Sequence, residues 1–164
     1  MVNNSTKTKN NNFILIGIIL FVIFGTCSFF LFSFINKEKE SLTSTEFKNI
    51  MEDKGYEVVD ATNQFEGYNE IQTVYLAVDK NKEYQIEFYD LKAESEAISF
   101  YNHNKKIAGS SNNYSEMNLN NYSKYTSSDS NYLVISRINN TVVYVDEDIK
   151  HKDVIKSVLK DLGY

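Results

Sequence analysis

Residues 132–145 read YLVISRINNTVVYV. Two runs of strand length, rich in β-branched and aromatic residues, bracket Asn139-Asn140. Asn tolerates positive φ, as the type I′ turn of a two-residue hairpin demands, so this stretch predicts a β-hairpin. A second pair of strands is predicted upstream, at 73–78 and 83–89, around the loop Asp79-Lys80-Asn81-Lys82. There Tyr84, Ile86 and Phe88 alternate with Gln85 and Glu87, which predicts one buried face and one wet face. A shorter strand is expected at 56–59, followed by a polar, irregular stretch at 61–70.

Helical patterns separate these hairpins. Thr43-x-x-Glu46 reads as a capping box, with Phe47, Ile50 and Met51 on one face and Gly55 as a left-handed C-cap. Asp90 is placed to cap a helix over 91–104, with Ala97, Ile98 and Tyr101 as its inner stripe. A last helix over 149–162 carries the stripe Val154, Ile155, Val158, Leu159 and Leu162. Asp146, Glu147 and Asp148 supply negative charge at its start, and Gly163 closes it. Residues 109–131 are rich in Ser and Asn and read as a long loop holding a modest strand at 122–126. The order predicts an α+β domain: an antiparallel sheet with about three helices on one face, arranged as two α-β-β-β halves.

Outside this domain lies FILIGIILFVIFGTCSFFLFSFI, residues 13–35, with no charge and seven of the eleven Phe. As a helix it would reach roughly 34 Å, against a hydrocarbon core of about 30 Å. Its polar positions, Thr26, Ser28 and Ser33, make no polar face for a globular helix. A transmembrane helix is therefore expected. A cleaved signal peptide competes, but Phe29-Phe30-Leu31-Phe32 would follow any cut near Cys27. Phe24-Gly25-Thr26-Cys27 matches the Leu-(Ala/Ser)-(Gly/Ala)-Cys pattern of bacterial lipoprotein signals poorly. Cys27 is the single cysteine, so the chain has no internal disulfide and no Cys-based zinc site.

The organisation expected is a cytoplasmic head at 1–12, the span at 13–35, a stalk at 36–42 and an extracytoplasmic domain at 43–164. Lys7, Lys9 and the terminal amine precede the span, against Lys37 and Lys39 beyond it, a small bias; a short head before a first apolar segment also acts like an uncleaved signal anchor, so the head is expected inside. The expected location is the cell membrane, single-pass, with the bilayer met through 13–35. Residues 41–164 hold 13 basic and 20 acidic side chains, a net charge of −7, so neither nucleic acid nor anionic lipid heads are expected partners. The 20 Asn and the ratio of one Arg to 16 Lys suit an AT-rich genome, as in many low-GC Gram-positive bacteria.

Reactive chemistry is sparse. No Gly-x-Ser-x-Gly, Walker A, Gly-x-Gly-x-x-Gly or His-Glu-x-x-His pattern occurs. His103 and His151 are expected to be solvated. Glu94 and Glu96 read as a solvated helix face, and Asp146, Glu147 and Asp148 as helix-capping charge rather than a cation loop. No catalytic residue, cofactor or metal ligand is predicted. Tyr75, Tyr84, Tyr132 and Tyr144 suit half-buried strand positions. Tyr114, Tyr122 and Tyr125 fall in the polar loop without an apolar pattern, and are the candidate contacts for a protein or envelope partner. The expected function is a membrane-anchored envelope protein with a non-catalytic binding domain; the alternative is a membrane-tethered hydrolase using carboxylates. A receptor is a third reading, but a 12-residue head leaves no room for an output domain.

Overall fold

The computed structural model describes residues 38–164. The expected head and span lie outside the described residues, among which no helix is long and apolar enough to cross a membrane. Seven strands form one antiparallel sheet: β1 (Glu57–Asp60), β2 (Ile71–Val78), β3 (Gln85–Leu91), β4 (Tyr114–Asn118), β5 (Tyr122–Ser128), β6 (Asn131–Ile138) and β7 (Thr141–Asp148). Their spatial order is β1-β2-β3-β7-β6-β5-β4. Two meanders, β1–β3 and β4–β7, thus join side by side through β3 and β7, where Glu87 faces Tyr144 and Asp90 faces Thr141. Among the described residues three α-helices complete the α+β fold: α1 (Ser44–Asp53), α2 (Glu94–Ala108) and α3 (Lys152–Asp161).

The capping box forms as the sequence predicts. Thr43 Oγ1 accepts from the Glu46 amide at 3.2 Å, while Glu46 Oε2 accepts from the Thr43 amide at 2.8 Å. Phe47 and Met51 then point into a core with Ile86 and Phe88, the Phe47 and Phe88 rings stacking at 4.5 Å. Ile155, Val158, Leu159 and Leu162 of the last helical segment enter the same cluster. A second cluster lies on the other face of the sheet, where Ala97 and Tyr101 of α2 meet Tyr89, Leu91, Leu133, Ile135 and Val142.

Helices therefore cover both faces, α1 and α3 on one and α2 on the other, which corrects the one-face expectation. The reason is topological. The chain leaves the sheet's middle at β3 and must reach its far edge at β4, so α2 crosses over the intervening strands. The sequence carries a trace of this. Leu133-Val134-Ile135 are apolar in succession, the mark of a strand buried on both faces.

Within residues 109–131 the strand expected at 122–126 forms as β5, but a second strand, β4, stands where only loop was expected. β4 pairs with β5 from Tyr114 opposite Ser127 to Asn118 opposite Ser123. Every β4 side chain is exposed, so this edge strand is held by main-chain pairing and leaves no apolar alternation to read. The second half consequently has four strands, against three in the first.

Local chemistry departs from expectation at three more points. Asp90 does not cap α2; β3 runs on to Leu91, and the Asp90 carboxylate accepts from Ser44 Oγ and Asn140 Nδ2, each at 2.9 Å. The β6–β7 turn has positive φ at Asn139 (50°) but not at Asn140, so it is not the type I′ form. The last helix opens as a 3-10 turn at Ile149–His151 before α3; Asp148 caps that turn as expected, accepting from the Lys150 amide at 2.9 Å, while all three acids of 146–148 belong to β7.

Candidate functional site

At the β4 end of the sheet, on the α1 and α3 face, lies a cleft of about 580 Å³ lined among others by Met117, Tyr122, Lys124, Tyr132, Lys152 and Lys156. Strand alternation builds its floor: Tyr122, Lys124 and Thr126 leave β5 on the same side, and Met117 opposite Lys124 joins them from β4. Helical spacing builds its wall, because Lys152 and Lys156 are one turn apart on α3.

Lys39 comes from far away in sequence. Its amide donates to Asn121 Oδ1 at 3.2 Å, and Asn121 Nδ2 donates back to the Lys39 carbonyl at 2.7 Å. This reciprocal pair holds the segment read as a stalk against the turn before β5. The Lys39 ammonium then sits 3.9 Å from the centre of the Tyr122 ring and donates to the Gly163 carbonyl at 2.7 Å. Lys152 Nζ lies 5.7 Å from the centre of the Tyr132 ring. Both are within cation–π range.

The electrostatics are unusual for an acidic domain. Burial pushes the Lys39 ammonium below its ordinary range. Burial does the same to Lys124, and the charges of Lys39 and Lys156 push it lower. Burial raises the Tyr122 and Tyr132 hydroxyls, and the Asp153 charge raises Tyr132 further, so both rings stay neutral. Lys124 Nζ donates to the Tyr164 main-chain oxygen at 3.0 Å. The ion pairs among the described residues belong to Lys48, Lys54, Lys105 and Arg137, so none of the four lysines here has a side-chain carboxylate within 4.0 Å. Like charges gathered in a partly dry site raise its free energy, and an anion between them lowers it. The arrangement can hold an anionic group, with two tyrosine rings offering faces to an adjoining ring or sugar.

The three tyrosines singled out in the sequence do not form one surface. Tyr114 is 61% exposed, while Tyr122 and Tyr125 are each 4% exposed. Tyr122 belongs to the α1 and α3 core, Tyr125 to the α2 core, and the Tyr114 ring stacks on Tyr125 at 6.0 Å. Tyr122 lies under the Lys39 ammonium, and Tyr114 lines the same lysine cleft from β4, whereas Tyr125 does not line it. Lys39, Lys124, Lys152 and Lys156 were not legible as a group; the Lys152 and Lys156 spacing was the one local signal.

Other candidate chemistry also moves. His103 is exposed on α2, but His151 is buried, 8% exposed, because the 3-10 turn carries it beneath Tyr84 with ring centres 4.9 Å apart. Glu94 pairs with Arg137, and Glu96 has a buried oxygen, so neither is simply part of a solvated face. Among the described residues no group of three or more His, Cys, Asp or Glu side chains is arranged to hold a metal ion. Compared with protein-family models, curated proteins and solved structures, the chain matches none.

Proposed function

We propose that the chain is a single-span membrane protein whose folded domain lies outside the cytoplasm and binds a short anionic envelope ligand in the lysine–tyrosine cleft, without converting it. The observation that carries this reading is the gathering of Lys39, Lys124, Lys152 and Lys156 around Tyr122 and Tyr132 with none of the four ammonium groups paired to a side-chain carboxylate. The uncharged run at 13–35 supports the anchor. The domain's net charge of −7 favours a short ligand, because a long polyanion would be repelled beyond the cleft.

The test uses the full chain in nanodiscs of zwitterionic lipid, titrated with tripolyphosphate and with trigalacturonate. One probe carries phosphate, the other carboxylate on sugar rings. Saturable binding of either is expected, falling about tenfold or more in the Lys124→Gln, Lys156→Gln double variant and weakening with salt. Failure of both probes, or equal binding by the folded double variant, sinks the ligand assignment. For the anchor, protease added to intact protoplasts should remove the domain; complete protection would reverse the topology.

A further inference from the structure

The opposite face of the sheet carries a second cleft, of about 700 Å³, between the 3-10 turn at Thr62–Phe65 and α2. Its lining is aromatic. Ring centres run from Tyr68 to Phe65 (6.2 Å), Phe65 to Tyr89 (5.7 Å) and Tyr89 to Phe100 (4.6 Å), forming a continuous chain of four rings. At its mouth Ile107 is 70% exposed and Tyr68 58% exposed, an unusual setting for large apolar groups. The volume falls in the range of sites for small organic molecules.

The charge of this cleft is opposite to that of the lysine cleft. Glu70 and Glu96 line it with His103, Tyr68 and Tyr89, and no Lys or Arg does. Glu96 Oε2 is buried and has no hydrogen-bond donor. Of the nearby groups on α2, the Ser99 hydroxyl and one N–H of Asn104 are engaged within the helix: Ser99 donates to the Ser95 carbonyl at 3.0 Å, and Asn104 Nδ2 donates to the Phe100 carbonyl at 2.9 Å. The Tyr89 hydroxyl donates to Glu87 Oε2 at 2.5 Å, and burial, then Glu87, hold it far above its ordinary range, so it remains a neutral donor committed elsewhere. A buried carboxylate oxygen without a donor is costly, and each such atom in a folded protein asks for a partner.

We propose that this cleft is a binding site for a small organic cation: an ammonium nitrogen on an aromatic or alkyl body. The ammonium supplies the N–H and the charge that Glu96 Oε2 lacks. The rings of Phe65, Tyr89 and Phe100 cover the apolar body, and their faces attract the cation. A neutral apolar molecule would leave the carboxylate unmatched, and an anion would meet Glu70 and Glu96. The site is independent of the lysine cleft, on a different face and of different sign.

The full chain in nanodiscs is titrated calorimetrically with phenethylammonium chloride, with empty nanodiscs subtracted. The neutral analogue 2-phenylethanol and the dipeptide Phe-Lys are run beside it. Saturable one-to-one binding of phenethylammonium is expected, about tenfold tighter than that of 2-phenylethanol and about tenfold weaker in Glu96→Gln. Ile107→Lys, at an exposed position where folding is insensitive, should weaken it as well by placing a like charge at the mouth. The Lys124→Gln, Lys156→Gln variant should bind phenethylammonium as the unaltered chain does, which separates this site from the lysine cleft. The proposal is overturned by equal binding of 2-phenylethanol, by undiminished binding in both folded Glu96→Gln and Ile107→Lys, by tighter binding of Phe-Lys, which would make the occupant a peptide, or by absence of saturable heat.

Discussion

Arg137, the single arginine of the chain, reaches from β6 to the first turn of α2, where its Nη1 donates to Glu94 Oε1 at 2.9 Å. The Arg137 side chain is 3% exposed and that of Glu94 is 49% exposed, so one end of the pair is dry and the other wet. Nη1 also donates to the Asn139 carbonyl at 3.1 Å. The residue before α2 is Ala93, which provides no side-chain cap, so this pair is the charged tie between the helix start and the sheet.

Breaking the pair from its two ends should therefore cost different amounts. Glu94→Ala leaves Arg137 its carbonyl partner and some water, and should cost about 1–2 kcal/mol after discounting for the exposed end. Arg137→Ala removes buried side-chain volume and strips the Asn139 carbonyl of a donor, and should cost about 3–5 kcal/mol. Urea denaturation of the two variants measures both values; equal costs would show that the pair acts as an ordinary surface bridge.

The three tyrosines should separate just as sharply. Tyr114→Ser alters an exposed ring on an edge strand and should change stability by less than about 0.5 kcal/mol. Tyr122→Ser and Tyr125→Ser each empty a buried site and should cost about 3–5 kcal/mol. A stable, fully folded Tyr125→Ser variant would put that ring back on a surface.

Along the last helix the boundary between core and solvent falls inside the predicted stripe. Leu159 is buried, whereas Val154 is 43% exposed. Leu159→Ala should cost about 2–5 kcal/mol, and Val154→Ala under about 0.5 kcal/mol. Chemical denaturation of both variants tests whether α3 is seated on the sheet by the face seen here.

Acid should act through the β2–β3 hairpin. Burial alone would push the Asp79 carboxyl up, but the amides of Asn81, Tyr84 and Glu83, at 2.9, 3.1 and 2.6 Å, with His151 nearby, hold it below its ordinary value. The folded value lies under the unfolded one, so the contribution is whole above about pH 4 and is lost as pH falls through the folded value. Asp79→Asn should lower the urea midpoint at pH 7 and flatten its decline into acid. An unchanged acid slope in the variant would assign the decline to other carboxylates.

Much of the fold was written locally. The capping box at Thr43 and Glu46, the alternation through Ile86 and Phe88, and the apolar stripe before Gly163 each depend on neighbours within a few residues, where steric preference and periodicity act directly. β4 escaped because its pairing uses main-chain groups that every residue carries. His151 and Asp90 escaped because a one-turn change in where an element ends redirects a side chain.

By itself the sequence determined the elements with strong periodicity, the α+β class and the expectation of a membrane span, since these rest on short-range patterns of burial and propensity. Only the tertiary structure decided which face each helix covers and which charges meet. Lys39 and Lys124 stand 85 positions apart in the chain and come together because Asn121 clasps the Lys39 main chain. Glu96 Oε2 is left without a donor in a cleft whose walls are mainly aromatic. Charge acts through space rather than along the chain, so the sign of each cleft became legible only once the sheet had brought distant residues side by side.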